Sequence, residues 1–324
     1  MSIFSFIKRR ITFIYVLYLY FTQKIHDKKL IGEKKSYGLE NPDLFFFIIR
    51  LNNPSLGLMA IYNCILGYLR IAENMGFIPI VDLKNFPNGY LEKDEVGQIN
   101  AWEYYFEQPT IYTLEEVYRS KNVIFSSGVS PREASPQVLA IFLNNKKKSK
   151  YYFHLINKYL RIKKHILQHV DTQYLNIIGK KRVIGTVSRG SDIINLNGHA
   201  IQPKIEELIA RSKKMLLKWN CDFIFLASEE AYVVEIFKKT FGGRLLINES
   251  MRINEFKNYI PWVEISFDRE NNKYLKGLEY LTTVIILSRC NCIIGSLVGA
   301  TVGALAINEG TYENKFFYDL GVYK

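Results

Sequence analysis

The sequence has few of the residues that build covalent frameworks or metal centres. It contains only four cysteines and five histidines among 324 residues. The cysteines are too scattered for the disulfide framework of a small secreted domain, and no zinc-finger pattern is present. Two of them alternate within an apolar run, which indicates a buried strand. We therefore expect a cytosolic protein with reduced thiols at Cys64, Cys221, Cys290 and Cys292.

Long apolar runs are also missing. The run from Ile11 to Thr22 has twelve residues, and a helix of that length rises about 18 Å, short of the ~30 Å hydrocarbon core of a bilayer. It also lacks the small-residue cleavage site of a secretory signal. Two alternatives stay open for the basic, aromatic segment 1–35: a helix lying on a membrane surface, or a first helix packed on the fold. Neither spans the membrane.

Acidic residues are outnumbered by basic ones, 31 to 43, and the net charge is +12. This balance favours an anionic partner, which could be nucleic acid, an anionic membrane surface or a phosphorylated small molecule. The basic residues form no single dense stripe, and an RNA-recognition signature is absent. A nucleic-acid-binding protein therefore rests on charge alone, and we expect no nucleic acid partner.

The order of the predicted elements indicates an α/β protein. A strand, "LFFFIIRL", is followed by a turn, by a helix that ends at Gly76 and by a second strand, "FIPIVDL". This is a β-α-β unit, which implies a parallel sheet. A largely helical region comes next, and "KKRVIGTVS" then restarts an alternation of strands and helices. We expect two Rossmann-like domains, residues 36–176 and 177–324, with a cleft between them.

The segment "IGTVSRGSDIINLNGHAIQP" concentrates polar residues directly after a predicted strand. Open parallel sheets bind ligands at this end of their strands. The Arg189 guanidinium could hold a diphosphate through two hydrogen bonds, Gly190 would let the backbone approach, and Asp192 could orient the arginine. The alternative is a surface ion pair in a turn, which contributes only ~0–1 kcal/mol.

Other candidates have equally plain structural alternatives. The loop "NNPSLG" could present N–H groups to a phosphate at a helix start, although it matches neither G-x-G-x-x-G nor a P-loop. Glu229 could contact a nucleotide, but the dipole of the next helix explains an acid there at ~0.3–1 kcal/mol. The aromatic residues Trp102, Tyr104 and Tyr105 could stack on a sugar, although packing onto the core is favoured.

The general base is not identified by the sequence. It offers three candidates, Asp82, Asp192 and Glu103, and no ground for choosing among them.

Several motifs resemble the fucosyltransferase superfamily, which includes α-1,2-, α-1,6- and protein O-fucosyltransferases. "GTVSRGSD" looks like its His-x-Arg-x-x-Asp segment, and "GHAIQP" resembles the stretch after that segment in bacterial members. "FIFLASEE" and "YLTTVIILSRCNCIIGSLVGATVGALAIN" resemble later segments, and "NNPSLGLMAIYNCILGYLRIAENMGFIPIVD" resembles the N-terminal loop, helix and strand. The resemblance runs from about Leu44 to the C-terminus.

This resemblance implies a GT-B-like pair of domains, with the acceptor on the first and a GDP-sugar on the second. It implies an inverting, metal-independent transfer, with GDP-fucose as donor and no further cofactor. The acceptor would be a hydroxyl of a bacterial surface polysaccharide, such as capsule, or of lipopolysaccharide. The enzyme would be cytoplasmic and peripheral on the inner membrane. The alternative is a non-catalytic relative that binds a nucleotide-sugar or a glycan.

The resemblance also implies roles for individual residues. Arg189 matches the essential arginine of the family and Asp192 its acidic partner, and we take both as catalytic. Val187 stands where relatives keep a histidine, and Val298 and Gly299 replace a serine pair, which leaves room for another nucleotide-sugar or a weakened site. The predicted nucleotide-sugar contacts are Arg189, His199, Gln202, Ser228, Glu229, Ser296, Thr301, Asn53 and Gly57.

Overall fold

The computed structural model describes residues 14–15, 18–19, 21–189, 197–254 and 262–323. These residues form a mixed α/β fold with a four-stranded and a five-stranded sheet. The strands are β1 (Ile31–Lys35), β2 (Phe46–Ile49), β3 (Ile78–Val81), β4 (Val123–Ser126), β5 (Val183–Val187), β6 (Phe223–Ala227), β7 (Leu245–Leu246), β8 (Cys292–Ser296) and β9 (Asn314–Tyr318). The α-helices are α1 (Gln23–Leu30), α2 (Leu58–Met75), α3 (Leu114–Val117), α4 (Pro136–Asn144), α5 (Lys146–Tyr159), α6 (Lys164–Ile177), α7 (Ile205–Lys218), α8 (Ala231–Phe241), α9 (Asn272–Ser288) and α10 (Gly299–Ile307).

The first sheet has the order β1-β4-β2-β3. Strand β2 pairs in parallel with β3 and β4, whereas β1 pairs antiparallel with β4 at the edge. Helix α2 joins β2 to β3, so the predicted β-α-β unit is confirmed. Helix α2 ends at Gly76, where φ is 69° and the N–H donates to the Ala72 and Glu73 carbonyls. Glycine suits this left-handed position because it has no Cβ.

The second sheet has the order β7-β6-β5-β8-β9, and all of its pairs are parallel. The chain builds outward from β5 through β6 to β7 and then returns to add β8 and β9 on the other side. The reversal of strand order beside β5 is a topological switch point, where open α/β sheets bind their ligands.

One hydrophobic core connects the two sheets. Its largest buried cluster includes Phe47 of β2, Val183 of β5 and Ile293 of β8. Helix α10 of the second half packs against α2 and α4 of the first. The contact with α2 is close because Gly303 has no side chain: a Cβ there would lie 2.4 Å from the Met59 sulfur.

Strands β1 and β9 were not predicted from the sequence. Strand β1, "IGEKK", ends in three exposed charged residues, and its backbone pairing with β4 makes it a strand. Propensity alone does not identify such an edge strand. Residues 31–35 thus belong to the first sheet, although the predicted N-terminal segment included them. The predicted domain boundaries at residues 36 and 177 stay a prediction.

The described part of the N-terminal segment is packed on the fold. Arg70 of α2 donates to both carboxylate oxygens of Asp27 in α1, at 2.7 and 2.8 Å. Arg132 donates to the Thr22 hydroxyl and to the Leu19 carbonyl oxygen. Residues 21–30 thus contact the fold, while the choice between the two alternatives stays a prediction, and residues 1–13, 16, 17 and 20 lie outside the described part.

Within the part of the chain that the structure describes, no helix has the length and apolar character needed to cross a bilayer. All four cysteines are free and buried, as predicted.

Candidate functional site

Arg189 lies at the switch point of the second sheet. It comes just after the end of β5, and Glu229 comes just after the end of the neighbouring parallel strand β6. The arginine Nη1 is 2.7 Å from the glutamate Oε1, and the two side chains are only 19% and 14% exposed. A charge-assisted hydrogen bond of this kind fixes the direction of the guanidinium group. Glu229 is thus an acidic partner of Arg189, whereas Asp192, predicted for that role, lies outside the described residues.

Two cavities meet at Arg189. The first, the strand-end cavity, has a volume of about 30 Å³ and is lined by the ends of β5 and β6, by residues 248, 250 and 251 and by one face of α9. The second, the helix-end cavity, has a volume of about 360 Å³ and lies among the beginnings of α2, α4 and α10 and residues 197–200. Arg189 and Tyr280 line both cavities. The guanidinium group therefore stands at their junction.

Three helices begin at the helix-end cavity. Their N-caps are Gly57 for α2, Ser135 for α4 and Val298 for α10, and all three residues line it. Helix N-termini carry N–H groups without intrahelical partners and a partial positive charge, so they attract anions. Among the described residues that line this cavity, none is acidic. Together with Arg189, this arrangement suits a phosphate group.

His199 contributes a neutral polar group to the helix-end cavity. Partial burial of its ring and the positive charge of Arg189 lower the pKa of His199 below its ordinary value. The imidazole is therefore neutral at neutral pH, with one nitrogen as donor and the other as acceptor.

Lys276 places a buried cation beside the strand-end cavity. Its side chain is 3% exposed, and its Nζ donates to the carbonyl oxygens of Val263, at 2.8 Å, and of Ile265. Burial lowers the pKa of Lys276 to about 8, so the amine is still mostly protonated at pH 7. Among the described residues, no three His, Cys, Asp or Glu side chains cluster as metal ligands.

Four of the other predicted contacts are divided between the cavities and the nearby turns. Ser228 lines the strand-end cavity and accepts a hydrogen bond from the Glu230 N–H. Gly57 lines the helix-end cavity, and a Cβ there would meet no atom within 4 Å. Asn53 accepts from the Ser55 N–H and Gln202 donates to the Ala200 carbonyl, so both shape their own turns and line neither cavity.

The turn between β8 and α10 lies at the site, but the neighbouring hydroxyl groups of Ser296 and Thr301 are not at the surface of the cavities. Ser296 and Thr301 are fully buried, line neither cavity, and have hydroxyl oxygens without a hydrogen-bond partner among the described residues. Val187 lines the strand-end cavity, and Val298 and Gly299 line the helix-end cavity. The positions at which the sequence departs from the fucosyltransferase pattern therefore line the cavities, whereas Ser296 and Thr301 do not.

The aromatic residues Trp102 and Tyr105 pack on other rings of the protein, which is the alternative favoured from the sequence. Trp102 stacks on Phe106 with ring centroids 4.2 Å apart, and Tyr105 stacks on Tyr274 of α9 at 5.7 Å.

Two of the suggested general bases lie in hydrogen-bond networks away from Arg189. Asp82 is fully buried and accepts from Tyr118 and Asn85, and Glu103 accepts from Asn100 and Gln108. Neither lines the two cavities around Arg189.

The residues that α9 contributes to the site were not predicted from the sequence. Lys276, Tyr280 and Thr283 recur at intervals of four and three residues and line the strand-end cavity. Such a polar row on an otherwise largely apolar helix is a signal that could have identified this face. Asn248, which donates to the Thr283 hydroxyl at 2.8 Å, completes this wall and has no such signal.

Comparisons with known proteins give structural matches only. No protein-family model matches the sequence, and no curated protein matches it. NodZ α-1,6-fucosyltransferase soaked with GDP-fucose is 14% identical, with a TM-score of 0.48 over 81% of this chain and 92% of that chain. The chain resembles fucosyltransferases in structure. For NodZ from Bradyrhizobium the identity is 14% and the TM-score is 0.46, and the match covers 81% of this chain and 92% of that chain. For POFUT1 without ligand the identity is 11% and the TM-score is 0.48, and the match covers 87% of this chain and 100% of that chain.

Proposed function

We propose that the chain is an inverting, metal-independent glycosyltransferase that uses a nucleotide diphosphate sugar. The observation that carries this proposal is the position of Arg189, at the switch point and at the junction of two cavities. A diphosphate bound there would meet a guanidinium fork and the N-termini of three helices. Of the two cavities, the helix-end cavity, with a volume of about 360 Å³, has room for a sugar beside the diphosphate.

The proposed donor is GDP-fucose. This choice is supported by the resemblance of "GTVSRGSD" to the fucosyltransferase motif. GDP-fucose is also the compound with which NodZ crystals were soaked. In this proposal the diphosphate faces the Arg189 guanidinium group and the partial positive charges of the three helix N-termini.

The proposed reaction is a single displacement at the anomeric carbon. An acceptor hydroxyl forms the new C–O bond while the bond to the diphosphate breaks, and the electron pair leaves on the β-phosphate oxygen. The hydroxyl proton passes to a base. Negative charge therefore grows on the diphosphate in the transition state, where Arg189, already held by Glu229, stabilises it.

The proposed architecture is GT-B-like. Residues 36–176 would form the acceptor side and residues 177–324 the donor side, with the helix-end cavity between them. The walls of that cavity support this division, because α2 and α4 come from the first half and α10 from the second. The proposed acceptor is a hydroxyl of a bacterial surface polysaccharide or lipopolysaccharide.

Nucleotide binding tests this function. We expect GDP and GDP-fucose to raise the melting temperature, because a ligand at 100 times its Kd stabilises the native state by about 2.7 kcal/mol. UDP- and dTDP-sugars should have no comparable effect, and GDP should be released from GDP-fucose in the presence of a glycan acceptor. Failure of every nucleotide to stabilise the protein would contradict the proposal. Stabilisation by GDP without turnover on any acceptor would favour the non-catalytic alternative.

A peripheral position on an anionic membrane is part of the proposal. Phe21 and Ile25 are 73% and 64% exposed, and with Ile14 and Tyr18, also exposed, they have helical spacing. Exposed lysines flank this apolar row at Lys24, Lys28 and Lys29. An apolar face bordered by basic side chains matches the chemistry of an anionic bilayer surface.

Vesicle sedimentation tests the membrane proposal. We expect the full chain to sediment with phosphatidylcholine vesicles that contain phosphatidylglycerol, less at high salt, and not with phosphatidylcholine alone. The double substitution Phe21→Ser and Ile25→Ser should abolish sedimentation because it removes the apolar row. Ile111→Ser is the matched control, since Ile111 is 92% exposed on another part of the surface. Equal binding by the double variant and the wild type would rule out this face.

A further inference from the structure

Asn63 is an unpaired polar side chain inside the fold. It lies one turn along α2 from Met59, and both residues line the helix-end cavity. Asn63 is 0% exposed, yet neither its amide nitrogen nor its amide oxygen has a hydrogen-bond partner among the described residues. Ala134 and Ser135, at the beginning of α4, line the same cavity.

Such a side chain destabilises the folded protein. Leaving a buried polar group unpaired costs about 1–3 kcal/mol, and replacing it with an apolar residue of similar shape removes that cost. An asparagine among the apolar residues of α2 therefore has a reason other than stability. A group that enters the cavity and both donates and accepts hydrogen bonds would satisfy it.

The chemistry of the cavity indicates which group this is. Phosphate oxygens only accept hydrogen bonds, so a phosphate would leave the Asn63 carbonyl oxygen unpaired. Hydroxyl groups donate and accept, and two neighbouring hydroxyls can pair with both atoms of one amide. The remaining lining combines apolar residues such as Pro136 with the neutral groups of Gln137 and His199, and Arg189 stands at its edge. This mixture suits an uncharged sugar ring beside a diphosphate.

We propose that Asn63 binds hydroxyl groups of the donor sugar in the helix-end cavity and thereby selects the sugar. The inference rests on the proposed function, since it places the sugar next to a diphosphate held by Arg189. It assigns the hydroxyls of the transferred sugar to a residue of the first half of the chain, in a cavity that Arg189 and the beginning of α10 from the second half also line.

Calorimetric titration with GDP and with GDP-fucose tests this assignment. In Asn63→Leu we expect the affinity for GDP-fucose to fall about tenfold or more, because the sugar hydroxyls lose their partner. The affinity for GDP should be unchanged, since GDP lacks the fucose. The variant should fold at least as stably as the wild type, because two unpaired polar atoms leave the core, and Asn63→Ala is a second variant that needs no repacking.

Tyr62→Phe is the matched control. The hydroxyl of Tyr62 is also buried and has no partner among the described residues, but Tyr62 does not line the helix-end cavity. Its loss should leave the affinities for GDP and GDP-fucose unchanged. Wild-type affinity for GDP-fucose in both Asn63 variants, or an equal loss of affinity for GDP, would overturn the assignment while the glycosyltransferase proposal stands. Absence of GDP binding by the wild type would overturn both.

Discussion

Replacing Arg189 with alanine is expected to lower kcat for sugar transfer about 100-fold or more. The guanidinium group stands at the junction of the two cavities, where the proposed diphosphate accumulates charge as the sugar departs. Removing one preorganised donor of this kind typically costs ~10²–10³ in kcat. Steady-state kinetics with GDP-fucose measure the effect, and chemical unfolding confirms that the variant is folded.

Two further arginine variants sharpen the result. Arg189→Lys keeps the charge but loses the planar fork, so its kcat should lie between those of the wild type and the alanine variant. Arg182→Ala is the matched control at the other end of β5, where Arg182 pairs with Glu313 at the surface, the two side chains being 40% and 45% exposed. A wild-type kcat in Arg189→Ala, or an equal loss in Arg182→Ala, would remove Arg189 from the mechanism.

Arg70→Leu is expected to destabilise the fold by about 3–5 kcal/mol. Arg70 Nε lies 2.7 Å from Oε1 of Glu133, and its terminal nitrogens bind Asp27 of α1. The Arg70 side chain is 6% exposed and that of Glu133 0%. Removing the arginine leaves a buried carboxylate without its cation, which is the costly way to break such a pair. Urea unfolding at neutral pH measures the change.

A double-mutant cycle separates the pair from the shape of the side chains. Because Glu133→Leu removes the stranded carboxylate, the double variant Arg70→Leu and Glu133→Leu should be clearly less destabilised than the sum of the two single variants. Arg119→Leu is the control. Arg119 forms an ion pair with Glu40 at the surface, where the two side chains are 57% and 50% exposed, so its loss should lower the free energy of unfolding by only ~0–1 kcal/mol. Equal effects at Arg70 and Arg119 would show that the buried network contributes nothing beyond a surface pair.

The Arg70 network also connects the N-terminal helix to the proposed active site. Glu133 is followed directly by Ala134 and Ser135, which line the helix-end cavity. Arg132, the residue before it, holds the chain at Leu19 and Thr22. The same short segment therefore carries the contacts to α1 on one side and a wall of the cavity on the other.

Much of the element order could be predicted from the sequence. The strands β2, β5 and β6 are short apolar runs between turn signals, and α7 has an apolar face on which Leu208, Met215 and Leu216 are buried. These patterns are local, because each strand or helix needs only its own residues to identify the face it buries. Edge strand β1 could not be predicted, since it depends on pairing with β4, about 90 residues away in sequence.

The candidate site was predictable only in part, for the same reason. Arg189 and Glu229 each come after a predicted strand, so their place at a sheet edge was foreseeable. Asn63 lies inside a helix of apolar residues and has no sequence signal of a binding role. It lines a cavity only because α4 and α10 pack beside α2.

By itself, the sequence determined an α/β chain with free thiols, with an arginine after a strand in the second half and with motifs that resemble fucosyltransferases. Only the tertiary structure decided that Glu229 is an acidic partner of this arginine, that three helix N-termini meet beside it and that Ser296 and Thr301 are buried beneath the cavities. The physical reason is the range of the interactions. Turns, caps and amphipathic faces are set by neighbours in the chain, whereas a cavity and its charges are set by which distant elements pack together.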